Sequence, residues 1–151
     1  MSNDHAASLR RLTPAVTRLL VVDDDPIQRR VISRLGVQAG HEAVVASSFY
    51  EATALLETAS FNCITIDLGL GERSGVDLLR IIARSPVMME VLIISGASEF
   101  VLESTKNFAW QNGLQLFDVF PKPLDLARLR DAFVRARLEH WRRQSAMAKA
   151  I

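Results

Sequence analysis

The 151-residue chain carries a single cysteine and three histidines, and its formal charge is only +1. Each scarcity removes a class of explanation. One cysteine excludes an intrachain disulfide, and Cys63 lies in the apolar run Phe61-Asn62-Cys63-Ile64, where a core thiol is expected rather than a redox centre or metal ligand. His5, His41 and His140 are scattered without metal-ligand spacing and are expected to face solvent. The near-zero charge gives no global drive toward nucleic acid or acidic lipid, so function has to come from particular residues. Apolar runs such as Val91 to Ile94 fall far short of the ~20 residues that span a bilayer, and the N-terminus lacks an apolar signal core. A cytoplasmic location without membrane contact is the expectation. The hydrophobic content of 49% suffices for the core of one domain.

What is present is a repeated unit. Residues 1–17 mix small and polar side chains with Arg10, Arg11 and Pro14, which predicts a flexible leader or at most a short docking helix around Leu9 and Leu12. The run Arg18 to Val22 is apolar without alternation, as in a strand buried on both faces, and ends in Asp23-Asp24-Asp25-Pro26. Pro26 suits the first turn of a helix, Ile27, Val31 and Leu35 follow at helical spacing, and Gly40 ends it. The pattern recurs with strand 42–46 and helix 50–59, strand 61–66 and helix 75–84, strand 91–94 and helix 99–111, and strand 116–120 with a helix from Asp125. Five strand-helix units predict a doubly wound α/β fold with a five-stranded parallel sheet and five helices, the last extended. The expected division is a domain over 18–140 and a helical extension over 141–151.

Ligands in such sheets bind beyond the carboxyl ends of the strands. There the sequence places Asp23 and Asp24 after the first strand, Asp67 after the third, Ser95 after the fourth and Lys122-Pro123 after the fifth. Two carboxylates ~4 Å apart repel by about 4 kcal/mol at an effective dielectric near 20, so three together call for a cation or raised pKa values. Mg²⁺ suits such a set because it takes few carboxylates and bridges to phosphate oxygens. Lys122 would add a fixed positive charge, Ser95 a hydroxyl donor, and Gly96 room for an incoming group. Asp25 is expected only to cap the following helix, and Glu72 and Asp77 to be acids of a loop and a first helical turn.

Four segments in order, Leu19 to Pro26, Ile64 to Asp67 with Ser74-Gly75, Leu92 to Gly96, and Phe120 to Pro123, resemble the response-regulator receiver family over about Arg18 to Leu138. The resemblance implies a flavodoxin-like sheet of order 2-1-3-4-5. It implies that Asp67 accepts a phosphoryl group from a sensor histidine kinase, that Asp24, Asp67 and the backbone carbonyl of Gly69 hold Mg²⁺ directly, and that Asp23 holds it through water. Ser95, Gly96 and Lys122 would bind the phosphoryl group, and Lys122-Pro123 would be a cis peptide. Such a domain is a phosphoacceptor in two-component signalling rather than an enzyme with its own substrate, catalysing only its own phosphorylation and dephosphorylation.

Three positions depart from the family pattern. Val119 stands where receivers commonly carry an aromatic switch residue, and Phe120 points to the opposite face of its strand. Gly69 and Ala97 stand where polar side chains often steer the hydrolytic water. In the last helix Leu126, Leu129 and Phe133 are expected to face the core, and Val134, Leu138 and Trp141 form a displaced apolar stripe that would suit a homodimer through that helix. No residues remain for a helix-turn-helix, so a stand-alone regulator without direct DNA binding is expected. A phosphorylation-independent adaptor and a haloacid-dehalogenase-like phosphatase are the competing readings; the latter would leave Asp67 without a role.

Overall fold

A computed structural model of the chain describes residues 16–150 other than 72 and 115. Most of the leader, the docking helix around Leu9 and Leu12, His5, Glu72 and the last residue lie outside the described residues. The elements run β1 (Thr17–Val22), α1 (Pro26–Gln38), β2 (His41–Ala46), α2 (Phe49–Thr58), β3 (Cys63–Asp67), α3 (Gly75–Ala83), β4 (Glu90–Ser95), α4 (Glu99–Gln111), β5 (Leu116–Pro121) and α5 (Leu126–Lys149). All pairings are parallel, as expected from the five strand-helix units, and the strand order is β2-β1-β3-β4-β5, as the resemblance implied. β1 pairs with β2 on one side and β3 on the other, so the order reverses there and a crevice opens beyond their carboxyl ends.

The helices begin where short polar side chains can cap them. Asp25 accepts from the N–H groups of Ile27 and Gln28, Ser48 from Glu51, Ser98 from Val101 and Asp125 from Arg128. Ser74 and Asp77 form a reciprocal capping box at α3. Asp25 thus has the capping role read from the sequence, and Asp77, expected only as an acid of the first turn, takes part in the cap of α3. At Gly40 the backbone takes a φ of +96°, which lets the chain turn from α1 into β2.

One face of the sheet buries Leu20, Val22, Ile64 and Ile66 against residues of α2 and α3, including Ala52, Leu78 and Leu79. The other buries Leu19, Val21 and Leu92 against Ile32 of α1 and Leu129, Phe133 and Ala136 of α5. Cys63 is in this second core, and burial pushes its thiol pKa up, as expected of a packing residue.

Two side-chain expectations fail. In α1 the buried positions are Ile32 and Gly36, while Ile27 is 75% exposed and Val31 lies at the surface. In α5, Leu126 is exposed and only Leu129 and Phe133 of the three expected core residues are covered. His41 is also no surface residue. Its ring nitrogens lie 2.6 Å from Thr17 Oγ1 and 2.8 Å from the carbonyl oxygen of Phe133, pinning β1, β2 and α5 together. His140 is half-buried, with Nε2 3.3 Å from Asn62 Nδ2.

Candidate functional site

The apolar strands end abruptly in polar residues, and their register brings those residues to one place. Asp67 pairs with Ile94 across β3 and β4, and Ser95 with Pro121 across β4 and β5. Lys122, next along, donates its backbone N–H to the carbonyl of Ser95. The Lys122 ammonium donates to Asp67 Oδ2 at 2.8 Å, and the Gly69 N–H donates to Asp67 Oδ1 at 2.9 Å. Both oxygens of this buried carboxylate therefore have donors. The Lys122–Pro123 peptide is cis.

Asp23 and Asp24 face Asp67 across the crevice, and one carboxylate oxygen from each of the three lies within 4.8 Å of the others. Their environments differ. Asp24 is exposed, whereas Asp23 is 1% exposed and held by its own backbone: its N–H donates to Ala46 and its carbonyl accepts from Arg29 Nη1 at 2.8 Å. Asp23 Oδ1 accepts from the Asp25 N–H, while Oδ2 has no hydrogen-bond partner among the described residues. Burial first, and then the charges of Asp67 and Asp24, push the Asp23 carboxyl up to about 6 against the opposing Asp25 N–H and Lys122 charge. For Lys122 burial opposes the charge, but the hydrogen bond to Asp67 and the charges of Asp67, Asp23 and Asp24 outweigh it, and its pKa is raised.

A crowded, all-oxygen set with a buried oxygen lacking a donor is chemically suited to a hard divalent cation. Ser95 Oγ accepts from the Ala97 N–H at 2.9 Å, which leaves the hydroxyl proton available. Gly96 borders Lys122, yet a methyl built there would meet the lysine stem at an ordinary 3.7 Å. The room expected from Gly96 is therefore not forced by crowding. Gly75 is the tight position: an added Cβ would lie 2.6 Å from the Asp67 carbonyl oxygen and 2.8 Å from Leu68 Cα. That constraint and the Arg29 bond escaped the sequence reading; the Ser74-Gly75 pair was the only trace of either.

Comparison with known proteins bears on the family and the fold. The chain is 38% identical over 94 residues to protein-glutamate methylesterase/protein-glutamine glutaminase 3 of Rhodospirillum rubrum, a stretch covering 59% of this chain and 25% of that protein. It is 33% identical over 81 residues to the alginate biosynthesis transcriptional regulatory protein AlgB of Pseudomonas aeruginosa, covering 54% of this chain and 18% of that one. The chain thus spans a quarter or less of the length of these two relatives. Among solved structures, a CheY-like receiver domain protein of Methanospirillum hungatei superposes with a TM-score of 0.73 at 21% identity, covering 86% of this chain and 99% of that one. The receiver domain of NtrX from Brucella abortus gives 0.66 at 26% identity, with 79% and 97% covered. The family model described as response regulator receiver domain matches residues 19–134, from the first strand well into α5. By that match and by its CheY-like sheet, this chain belongs to the response regulator receiver domain family.

Proposed function

We propose that Asp67 accepts a phosphoryl group from the phosphohistidine of a sensor histidine kinase, in a Mg²⁺-dependent reaction, and that the phosphorylated chain signals through protein contacts. The observation that carries this reading is the buried Asp67, bonded to Lys122 and grouped with Asp24 and with Asp23, whose Oδ2 has no hydrogen-bond partner among the described residues.

Asp24, Asp67 and the Gly69 carbonyl would hold Mg²⁺ directly, and Asp23 through water. Bound there, the cation would offset carboxylate repulsion and draw charge from the phosphoryl oxygens. The protein's own part is positioning and charge complementarity. A carboxylate oxygen of Asp67 forms the new O–P bond as the N–P bond breaks, and the departing electron pair stays on the kinase imidazole. Lys122, now on Asp67 Oδ2, moves its ammonium to a phosphoryl oxygen, and the Ser95 hydroxyl donates to another. Gly96 adds no side chain to obstruct the group's approach.

Ile27 and Val31 support a docking role for α1, since this helix starts at the site and shows apolar side chains to solvent. For output, Val134 and Leu138 are exposed on α5, and a two-fold dimer through that helix would cover them. Val119 packs against the α2/α3 side of the core while Phe120 is buried on the other, so Phe120 does not replace an aromatic at position 119. Phosphorylation would then act through the backbone near Ser95.

Labelling with a kinase or acetyl phosphate tests the proposal. The wild type takes up label with Mg²⁺ and loses it with chelator, and Asp67→Asn takes up none while remaining folded. Label retained in Asp67→Asn defeats the reading, and an unlabelled, folded wild type points to an adaptor instead. Light scattering before and after phosphorylation tests the dimer.

A further inference from the structure

Asp23 is held at three points, and one of them is the side chain of another residue. Its N–H donates to the Ala46 carbonyl of β2 at 3.1 Å, its Oδ1 accepts from the Asp25 N–H at 2.9 Å, and its carbonyl accepts from Arg29 Nη1 at 2.8 Å. The residue is 1% exposed, so little water can replace the guanidinium on that carbonyl.

Arg29 reaches the carbonyl because helical side chains lean toward the N-terminus of their helix. α1 starts at the site, and Arg29, one turn in, points back to the end of β1. Arg30 and Arg34 of the same helix are exposed, whereas Arg29 is half-buried. Its charge also bears on α2: two hydrogen bonds from Ser47 first, and then Arg29, hold the Glu51 carboxyl below its usual value. The carbonyl that Arg29 holds belongs to the peptide between the two acidic residues. Turning that peptide would move Asp24 relative to Asp23 and swing Asp23 Oδ2 away from Asp67.

We propose that Arg29 is a positioning residue for the acidic site: by fixing the Asp23–Asp24 peptide it sets the affinity with which Asp23, Asp24 and Asp67 take up a divalent cation. The inference rests on the Mg²⁺-dependent reading above, and adds to it a residue that acts on the cation through Asp23 and Asp24. Charge alone predicts the reverse. Arg29 brings a positive charge near three carboxylates, so on electrostatic grounds its removal tightens cation binding. Releasing the peptide weakens binding, by roughly tenfold for a group that orients a ligand from outside the coordination shell.

Free Mn²⁺, followed by its EPR signal as the full chain is titrated, measures the affinity, and competition with Mg²⁺ extends the measurement to that ion. Arg29→Met keeps an apolar stem, removes every donor and binds roughly tenfold more weakly than wild type, while Arg29→Lys, which keeps a donor, recovers part of the loss. Arg30→Gln removes the same charge one residue along and leaves the affinity unchanged or slightly tighter. With acetyl phosphate, half-maximal labelling of Arg29→Met needs correspondingly more Mg²⁺, yet the rate at saturating Mg²⁺ stays near that of wild type, a split that general loosening of the fold does not give. Circular dichroism checks folding, and Arg29→Gln carries the comparison if Arg29→Met does not fold. Wild-type affinity in either folded variant, or an equal loss in Arg30→Gln, overturns the inference and leaves the reading of Asp67 standing. A wild type that takes up no Mn²⁺ overturns both.

Discussion

Asp23 and Asp24 are neighbours in sequence with opposite fates. One is buried beside Asp67 with an oxygen lacking a donor, while the other is exposed. The strand-end pattern located both, along with Asp67, Ser95 and Lys122, because an apolar strand that stops at a polar residue announces its own edge. It could not rank them, since burial at this edge depends on the Ala46 and Arg29 contacts that lock the Asp23 backbone. The ranking has a measurable consequence. With the Asp23 carboxyl near 6, a divalent cation must displace its proton below that pH, so apparent Mg²⁺ affinity falls about tenfold per unit on the acid side. Calorimetric titrations between pH 5 and 7.5 show this slope in the wild type and a weaker, flatter profile in Asp23→Asn. An equal slope in both would remove Asp23 from the linkage. A second residue-scale expectation concerns Gly69, where an added Cβ meets only Asp67 Oδ1 at 3.7 Å. Gly69→Asn therefore folds, and its amide, placed to orient water, shortens the phosphoryl lifetime several-fold. Unchanged decay of the labelled protein would show that position to be idle.

At the scale of elements, the alternation of strands and helices and the starts of the helices were legible because buried parallel strands and capping side chains leave local signatures, whereas the strand order came only from the family resemblance. Which face of α1 is buried was not. Ile27-Val31-Leu35 and Ile32-Leu35-Gly36 both fit a helical stripe, and the second wins because Gly36 has no side chain to obstruct Leu19, whose methyl occupies the place a Cβ would take. His41 was misread for a related reason. A polar residue at the start of an edge strand gives no sign that α5 will cover it, and its partners Thr17 and Phe133 are distant in sequence. Burial, with Arg137 and His140 nearby, holds its pKa below the usual value despite the Phe133 carbonyl. The neutral ring therefore contributes stability that is complete above pH ~6.5 and is lost as pH falls through the lower folded pKa. Asp23 acts oppositely, since its raised pKa makes the fold lose stability as pH climbs from about 4 to 6. Comparing wild type with His41→Gln cancels that background. The stability advantage of the wild type is larger at pH 7.5 than at pH 5 in denaturant titrations, and a constant gap would rule the linkage out. Gly75→Ala is the corresponding test of the β3–α3 junction. Its methyl meets backbone rather than a movable side chain, so the expected loss is about 1–3 kcal/mol, together with slower phosphorylation. Gly96→Ala, with open contacts, keeps wild-type stability.

For the whole molecule the informative element is α5, whose 24 residues extend roughly 36 Å and run well past the family match that ends at residue 134. A lone extended helix would leave its last turns without tertiary partners, yet Arg143 forms an ion pair with Glu90 and His140 approaches Asn62. Glu90 opens β4 in the middle of the sheet and is only 7% exposed, so its carboxylate depends on a cation supplied from more than fifty positions away. Nothing in the local sequence around Glu90 names that partner, which is why the stretch after residue 140 read as an appendage. The packing makes it part of the domain's closure. Arg143→Ala leaves a buried charge with its partner gone. Because the arginine is itself about a third exposed, water recovers part of the loss, and the expected destabilisation is about 1–2 kcal/mol. Glu90→Gln combined with Arg143→Ala should regain part of that, since the neutral amide is cheaper to leave in place. A double-mutant cycle of unfolding free energies measures the coupling. If Arg143→Ala unfolds at the wild-type denaturant midpoint, the end of α5 is an independent arm after all, free for a partner from its first exposed turn.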